Sequence, residues 1–158
     1  MGERSAFAMA TALTAYGVYL VPSWRADELL DPCHVAMAAS CVTIALLYLA
    51  RSMGAQGAAF ERIVLALFLA GMPLIYIARG GWRSHEAFGL PIYGTCAVLG
   101  LWRWPWLLAA GIAAHGLGWD SWHYFGASAY IPSWYSLGCL LVDVGIGIYA
   151  AVRVAPKW

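Results

Sequence analysis

Charge is what this chain has least of. Only nine of its 158 residues are Lys or Arg and eight are Asp or Glu, 11% together, while 63% are hydrophobic and the mean hydropathy is +0.70. Soluble domains carry about 25% charged residues, so the composition points to a membrane protein with the lipid bilayer as its surroundings. The net charge of +1 comes without any clustered basic face, which argues against nucleic acid as a partner.

Paired thiols are missing too. Cys33, Cys41, Cys96 and Cys139 are scattered with no CxxC, which argues against the vicinal-thiol chemistry that traps soft ions. A cleavable leader is also not in evidence. The opening MGERSAFAMATALTAYGVYLVPSW has a weakly basic start and runs into Tyr16, Tyr19 and Trp24, the pattern of a retained helix.

What is present is a series of intervals without formal charge: 5–24, 32–50, 63–78, 87–102, 104–119 and 121–142. Backbone polar groups cannot stay unpaired in hydrocarbon, so such intervals are read as helices. The expected fold is all-α, a polytopic membrane helical bundle of about six transmembrane helices. It forms a single integral membrane domain over 1–158, with helices at about 5–22, 34–50, 62–78, 87–102, 104–120 and 134–152. RSMGAQGAAFER, from 51 to 62, reads as a loop, and Arg103, Trp104 and Pro105 as a tight turn. Pro73 and Pro91 are expected to kink or break their helices.

In this layout one end carries Arg4, Arg51, Arg62, Arg103, Arg153 and Lys157, and the other only Arg25, Arg79 and Arg83. The bias toward the first set predicts that both termini are cytoplasmic. All four histidines, His34, His85, His115 and His123, then gather toward the opposite end.

AHGLGWDSWHY, residues 114–124, places His115, Asp120 and His123 among tryptophans, glycines and a tyrosine. On an α-helix His115 and Asp120 lie ~140° apart, whereas Asp120 and His123 form an i, i+3 pair. Asp143 is the single charge in SLGCLLVDVGIGIYAAV; at a membrane-helix centre an aspartate costs ~2.5–3.5 kcal/mol and needs a partner. His115 is the first candidate. Glycines 111, 116, 118, 138, 145 and 147 predict close contact between the last two helices, which would let the two side chains meet.

Imidazole and carboxylate together suit a divalent transition metal. His115, Asp120, His123 and Asp143 are therefore candidate metal ligands, with His34, His85 or Glu86 arriving from neighbouring helices. The same groups also serve, on the plainer reading, as interhelical hydrogen-bond partners and a helix cap. Trp24, Trp82, Trp119, Trp122, Trp134, Tyr130 and Tyr135 fall at the outer boundary as an aromatic belt. Among them Trp119, Trp122 and Tyr135, together with Glu86, are the candidates to bind a small lipophilic ligand.

The order GLGWDSWHY, IPSWYSLGC, VDVGIGIY resembles a group of small, uncharacterised bacterial polytopic inner-membrane proteins. The positions that carry the resemblance are His115, Trp119, Asp120, His123, Pro132, Trp134, Tyr135, Cys139 and Asp143. It spans roughly residues 108–150, implies a bacterial inner (cytoplasmic) membrane, and brings no activity with it.

Three functions are compatible with these residues. The first is a polar His/Asp pocket near the periplasmic face, binding a metal ion or small lipophilic ligand. The second is an isomerase- or cyclase-type enzyme in which Asp143 and His115 are the catalytic acid/base pair. The third is an accessory subunit with membrane protein partners.

Overall fold

A computed structural model describes residues 32–80, 82, 84–126 and 130–153, the side chains of 32–35 and 84 excepted. The helix expected at 5–22 lies outside the described residues, as do Asp27, Glu28, Asp31 and the side chain of His34.

The described chain is helical, without strands. Helix α1 (Pro32–Ser52) turns into α2 (Ala55–Gly80), followed by α3 (Ser84–Trp102) and α4 (Trp106–Ala114). A π-helical turn, His115–Asp120, joins α4 to the short α5 (Ser121–Phe125), and α6 (Ser133–Arg153) closes the order.

Leu, Ala, Val and Ile dominate these segments, and tertiary packing rather than amphipathic striping holds them. The helices form a closed ring: α1 packs on α2, α2 on α3, α3 on α4, α4 on α6, and α6 back on α1. Leu47, Leu65, Leu69, Leu108, Ile112 and Ile146 meet at its centre and are almost fully buried. A smaller cluster at one end joins Tyr76, Ile131 and Tyr135.

The loop expected over 51–62 is far shorter, because α2 already begins at Ala55. Alanine favours helix, and the reversal falls on Gly54, whose φ of +82° is the left-handed cap that glycine adopts without a Cβ penalty. Its N–H bonds the Arg51 carbonyl at 3.1 Å. At the next hairpin Pro105 stands immediately before α4, where its absent N–H costs nothing.

Neither Pro73 nor Pro91 breaks its helix; α2 and α3 run through both positions. Proline removes one backbone bond per site, and packing offsets the loss. Pro73 is buried, and a Cβ built on Gly89 of α3 would come 3.1 Å from its own Cβ.

The count of about six transmembrane helices does not hold. Among the described residues only two helices, Ala55–Gly80 and Ser133–Arg153, are long and apolar enough to cross a membrane. Ala36–Ser52 is apolar but shorter. Absence of formal charge proved too weak a criterion, because glycine, serine, threonine, histidine and interfacial aromatics dilute an interval without charging it. Helix α3 opens on Ser, His and Glu, and α4 gives only nine regular residues before the π turn, a rise of roughly 14 Å.

The approach of α4 to α6 depends on missing side chains. A Cβ on Gly116 would lie 2.8 Å from Asp143 Cβ and 3.2 Å from the Leu140 carbonyl oxygen, and one on Gly147 would meet Ala113 at 3.1 Å. Gly118, on the same turn, has nothing within 4 Å of that position. Gly116→Ala is therefore expected to lower stability by about 1–3 kcal/mol through overpacking, while Gly118→Ala leaves it unchanged or raises it. Thermal unfolding of the two purified variants makes the comparison, and equal melting temperatures would refute the close contact.

Candidate functional site

The polar residues of the 114–124 stretch are organised by the π turn. Its wider i→i+5 winding carries five residues through little more than a full circle, so His115 and Asp120 come to share a face. The Ser121 backbone N–H reaches back to the Gly116 carbonyl, and the Ser121 hydroxyl donates to the same oxygen at 3.3 Å. The ~140° separation expected of a regular helix is thereby cancelled: His115 Nδ1 lies 3.6 Å from Asp120 Oδ1.

Helix α6 supplies the third group. His115 Nδ1 donates to Asp143 Oδ2 at 2.8 Å, the pairing that the lone aspartate required. Ligand atoms of His115, Asp120 and Asp143 all lie within 4.8 Å of one another, and the three residues are 2%, 0% and 3% exposed. Tyr76, from α2, donates its hydroxyl to Asp120 Oδ1, and the Tyr93 ring stands edge-on to His115 at 4.9 Å. Asp120 Oδ2 and His115 Nε2 are buried without a hydrogen-bond partner.

Two carboxylates at this range repel by roughly 3.5 kcal/mol at an effective dielectric of ~20, so the nest calls for a cation. Burial opposes the charge on His115, but the close Asp120 carboxylate and the hydrogen-bonded Asp143 outweigh it, pushing the pKa up to about 10. The imidazolium is thus the protein's own counter-charge. A divalent ion that displaced its proton would do the same work with one charge more.

His123 does not join this group. It lies across the ring of Tyr76, stacked on it at 4.4 Å and 19°, and faces Glu86 of α3. Its Nε2 stands 3.1 Å from Glu86 Oε1, within ion-pair range but off the line of a ring hydrogen bond, so neither ring nitrogen has a hydrogen-bond partner. Burial holds its pKa below the ordinary value, and the charges of Glu86 and Asp120 offset only part of that.

Glu86 is fully buried. It accepts hydrogen bonds from Tyr130 Oη and, at 3.1 Å, from Trp119 Nε1. His85 Nε2 lies 3.5 Å from its Oε1. The residues expected as one ligand set are therefore divided between two nests, with Tyr76 shared between them.

The lipophilic-site candidates scatter. Trp119 is committed to Glu86, Trp122 is half exposed and edge-on to His85 at 5.0 Å, and Tyr135 is buried beside Tyr76. Sequence reasoning missed Tyr76 and Tyr93 as site residues; the available signal was a phenol deep in each of two apolar helices. It also missed the opposite end of the bundle, where buried Glu61 pairs with Arg51 at 2.5 Å and accepts from Tyr149 Oη.

Compared with protein-family models, curated proteins and solved structures, the chain matches none.

Contact between His115 and Asp143 is testable without any ligand. His115→Gln and Asp143→Asn should each destabilise the protein, and the double variant should lose less than their sum by roughly 1–3 kcal/mol, the coupling of groups in direct contact. Additive losses in a denaturant cycle would show that the pair does not interact.

Proposed function

We propose that the protein is an integral membrane protein that binds a divalent transition-metal ion through His115, Asp120 and Asp143. The observation that carries this is the gathering of one imidazole and two carboxylates, nearly fully buried, with ligand atoms within 4.8 Å. Mixed nitrogen and oxygen donors suit zinc, iron, nickel or manganese better than the softest or hardest ions. The unpartnered Asp120 Oδ2 and His115 Nε2 add unused donor capacity, in a place where orphaned polar atoms are costly. Tyr76 and the π turn fix the orientation of the carboxylate and ring, as outer-shell partners do in metal sites.

The membrane part of the proposal rests on the surface. Large apolar side chains face outward on every side of the ring, including Tyr48, Leu49, Leu67, Val98, Leu117 and Ile148, a surface suited to lipid. Helices α2 and α6 supply lengths of 26 and 21 residues, enough for a ~30 Å hydrocarbon layer at ~1.5 Å per residue. The Arg51, Arg62, Arg103 and Arg153 end is proposed to face the cytoplasm of a bacterial inner membrane, leaving the metal site toward the other side.

A second reading is favoured by the His115–Asp143 hydrogen bond. A carboxylate on Nδ1 leaves Nε2 as the working nitrogen, the orientation of a general acid/base, here toward a small lipophilic substrate.

Metal binding is read directly. Protein purified in detergent and stripped with chelator should regain Zn2+, and Asp143→Asn should abolish one bound equivalent. Bound metal should also raise thermal stability, by ~2.7 kcal/mol at a hundredfold excess over Kd. Unchanged metal content in Asp143→Asn would overturn these three ligands.

A further inference from the structure

The end of the bundle away from the histidines carries Arg51, Arg62, Arg103 and Arg153, and among the described residues Glu61 is the one acid there. Glu61 is fully buried and paired with Arg51. One carboxylate therefore faces four guanidinium groups, none of which can discharge by losing a proton. The surplus makes this end attractive to anions.

Arg153 has the most structured setting of the four. It lies in the last turn of α6, as Arg51 does in that of α1, and the two helices pack side by side. Its guanidinium carbon stands 4.8 Å over the ring of Tyr48, from α1. Its side chain also lies beside the Tyr149 hydroxyl, which donates to Glu61. Arg51 and Arg153 thus converge on one carboxylate, the first directly and the second through a phenol. Each also answers the negative end of its own helix, but that does not use up five N–H donors. Arg153 Nε is buried without a hydrogen-bond partner. A seat over a ring face leaves the in-plane donors available, and two of them match the oxygens of a phosphate.

The neighbouring surface fits the rest of a phospholipid. Tyr48, Leu49, Ile148 and Val152 are all more than half exposed, an apolar apron beside the two arginines on α1 and α6. The depth agrees as well. Trp102, Trp104 and Trp106, all exposed, bracket the α3–α4 hairpin at this same end, and tryptophan settles at headgroup level.

We propose that Arg51 and Arg153, at the paired ends of α1 and α6, bind the headgroup phosphate of an anionic phospholipid whose acyl chains lie against Tyr48, Ile148 and Val152. Basic pockets between membrane helices recognise headgroups of this kind. The proposal rests on the reading of the chain as an integral membrane protein, and on no ligand of the metal site.

The test is a lipid titration of the full-length protein in zwitterionic detergent, with phosphatidylglycerol or with phosphatidylcholine of the same acyl chains, followed by thermal unfolding. Phosphatidylglycerol should stabilise the protein with an apparent affinity at least fivefold above that of phosphatidylcholine, roughly the worth of one arginine at an anionic surface. Arg153→Gln should lose that preference, with helical circular dichroism confirming the fold. Arg103→Gln, a change at an exposed arginine on the neighbouring hairpin, should keep it. Arg51 is left in place, because its removal would strand the Glu61 carboxylate in an apolar interior.

Equal affinity of the unaltered protein for the two lipids, or the same loss in Arg103→Gln as in Arg153→Gln, would overturn the site. Equal stabilisation by inorganic phosphate would overturn a lipid as its occupant. Release of the protein from vesicles by alkaline carbonate would overturn the membrane reading and the site with it, whereas retained protein that treats both lipids alike loses the site alone.

Discussion

Every acidic side chain among the described residues is buried: Glu61, Glu86 and Asp120 are fully enclosed and Asp143 is 3% exposed. An unpaired carboxylate in an apolar interior costs several kcal/mol, and that penalty governs where the helices can go. Each acid is met by donors from other elements: Arg51 and Tyr149 for Glu61, Trp119 and Tyr130 for Glu86, Tyr76 for Asp120 and His115 for Asp143. These contacts join α1 to α2, α2 to the π turn and to α6, and the π turn to α6. Apolar packing supplies the attraction that closes the ring; the buried acids fix its register, since leucine against leucine tolerates sliding and a carboxylate against its donor does not.

The two ends of the bundle use this constraint differently. At the Glu61 end an arginine completes the charge and no imidazole takes part, which makes a structural anchor. At the other end the groups beside the acids are imidazoles, with His115 on Asp143 and Asp120, and His85 and His123 beside Glu86. Three acids and three histidines occupy that end. An arginine stays charged at any ordinary pH, whereas an imidazole as partner of a buried acid exchanges its proton and offers a nitrogen lone pair when neutral.

Part of this was legible from the residues. A solitary Asp143 in an apolar helix demanded a partner, glycines on both of the last helices promised a close approach, and His115 was the imidazole within range. Other parts were not. The π turn defeats any argument from a 100° step, because periodicity is an average and a single widened turn resets it. Tyr76 gave no warning beyond its hydroxyl, since its role depends on α2 lying beside the turn, a tertiary fact. The 51–62 stretch looked like a loop because Gly and polar residues were weighed together, whereas only Gly54 bends the chain. The span count failed for a related reason: neutral residues are not all apolar ones.

The π turn holds one residue more than a regular helix would need over the same rise. Were it to relax to ordinary winding, everything after it would rotate by ~100° about the helix axis, and Asp120 and His123 would swing together out of their separate nests. The stretch from Trp106 to Phe125 is thus a shaft with a single wound joint, and both sets of donors hang from the same thread. Inserting one residue between His115 and Asp120 would unset both at once, whereas deleting one would let ordinary winding carry the same register.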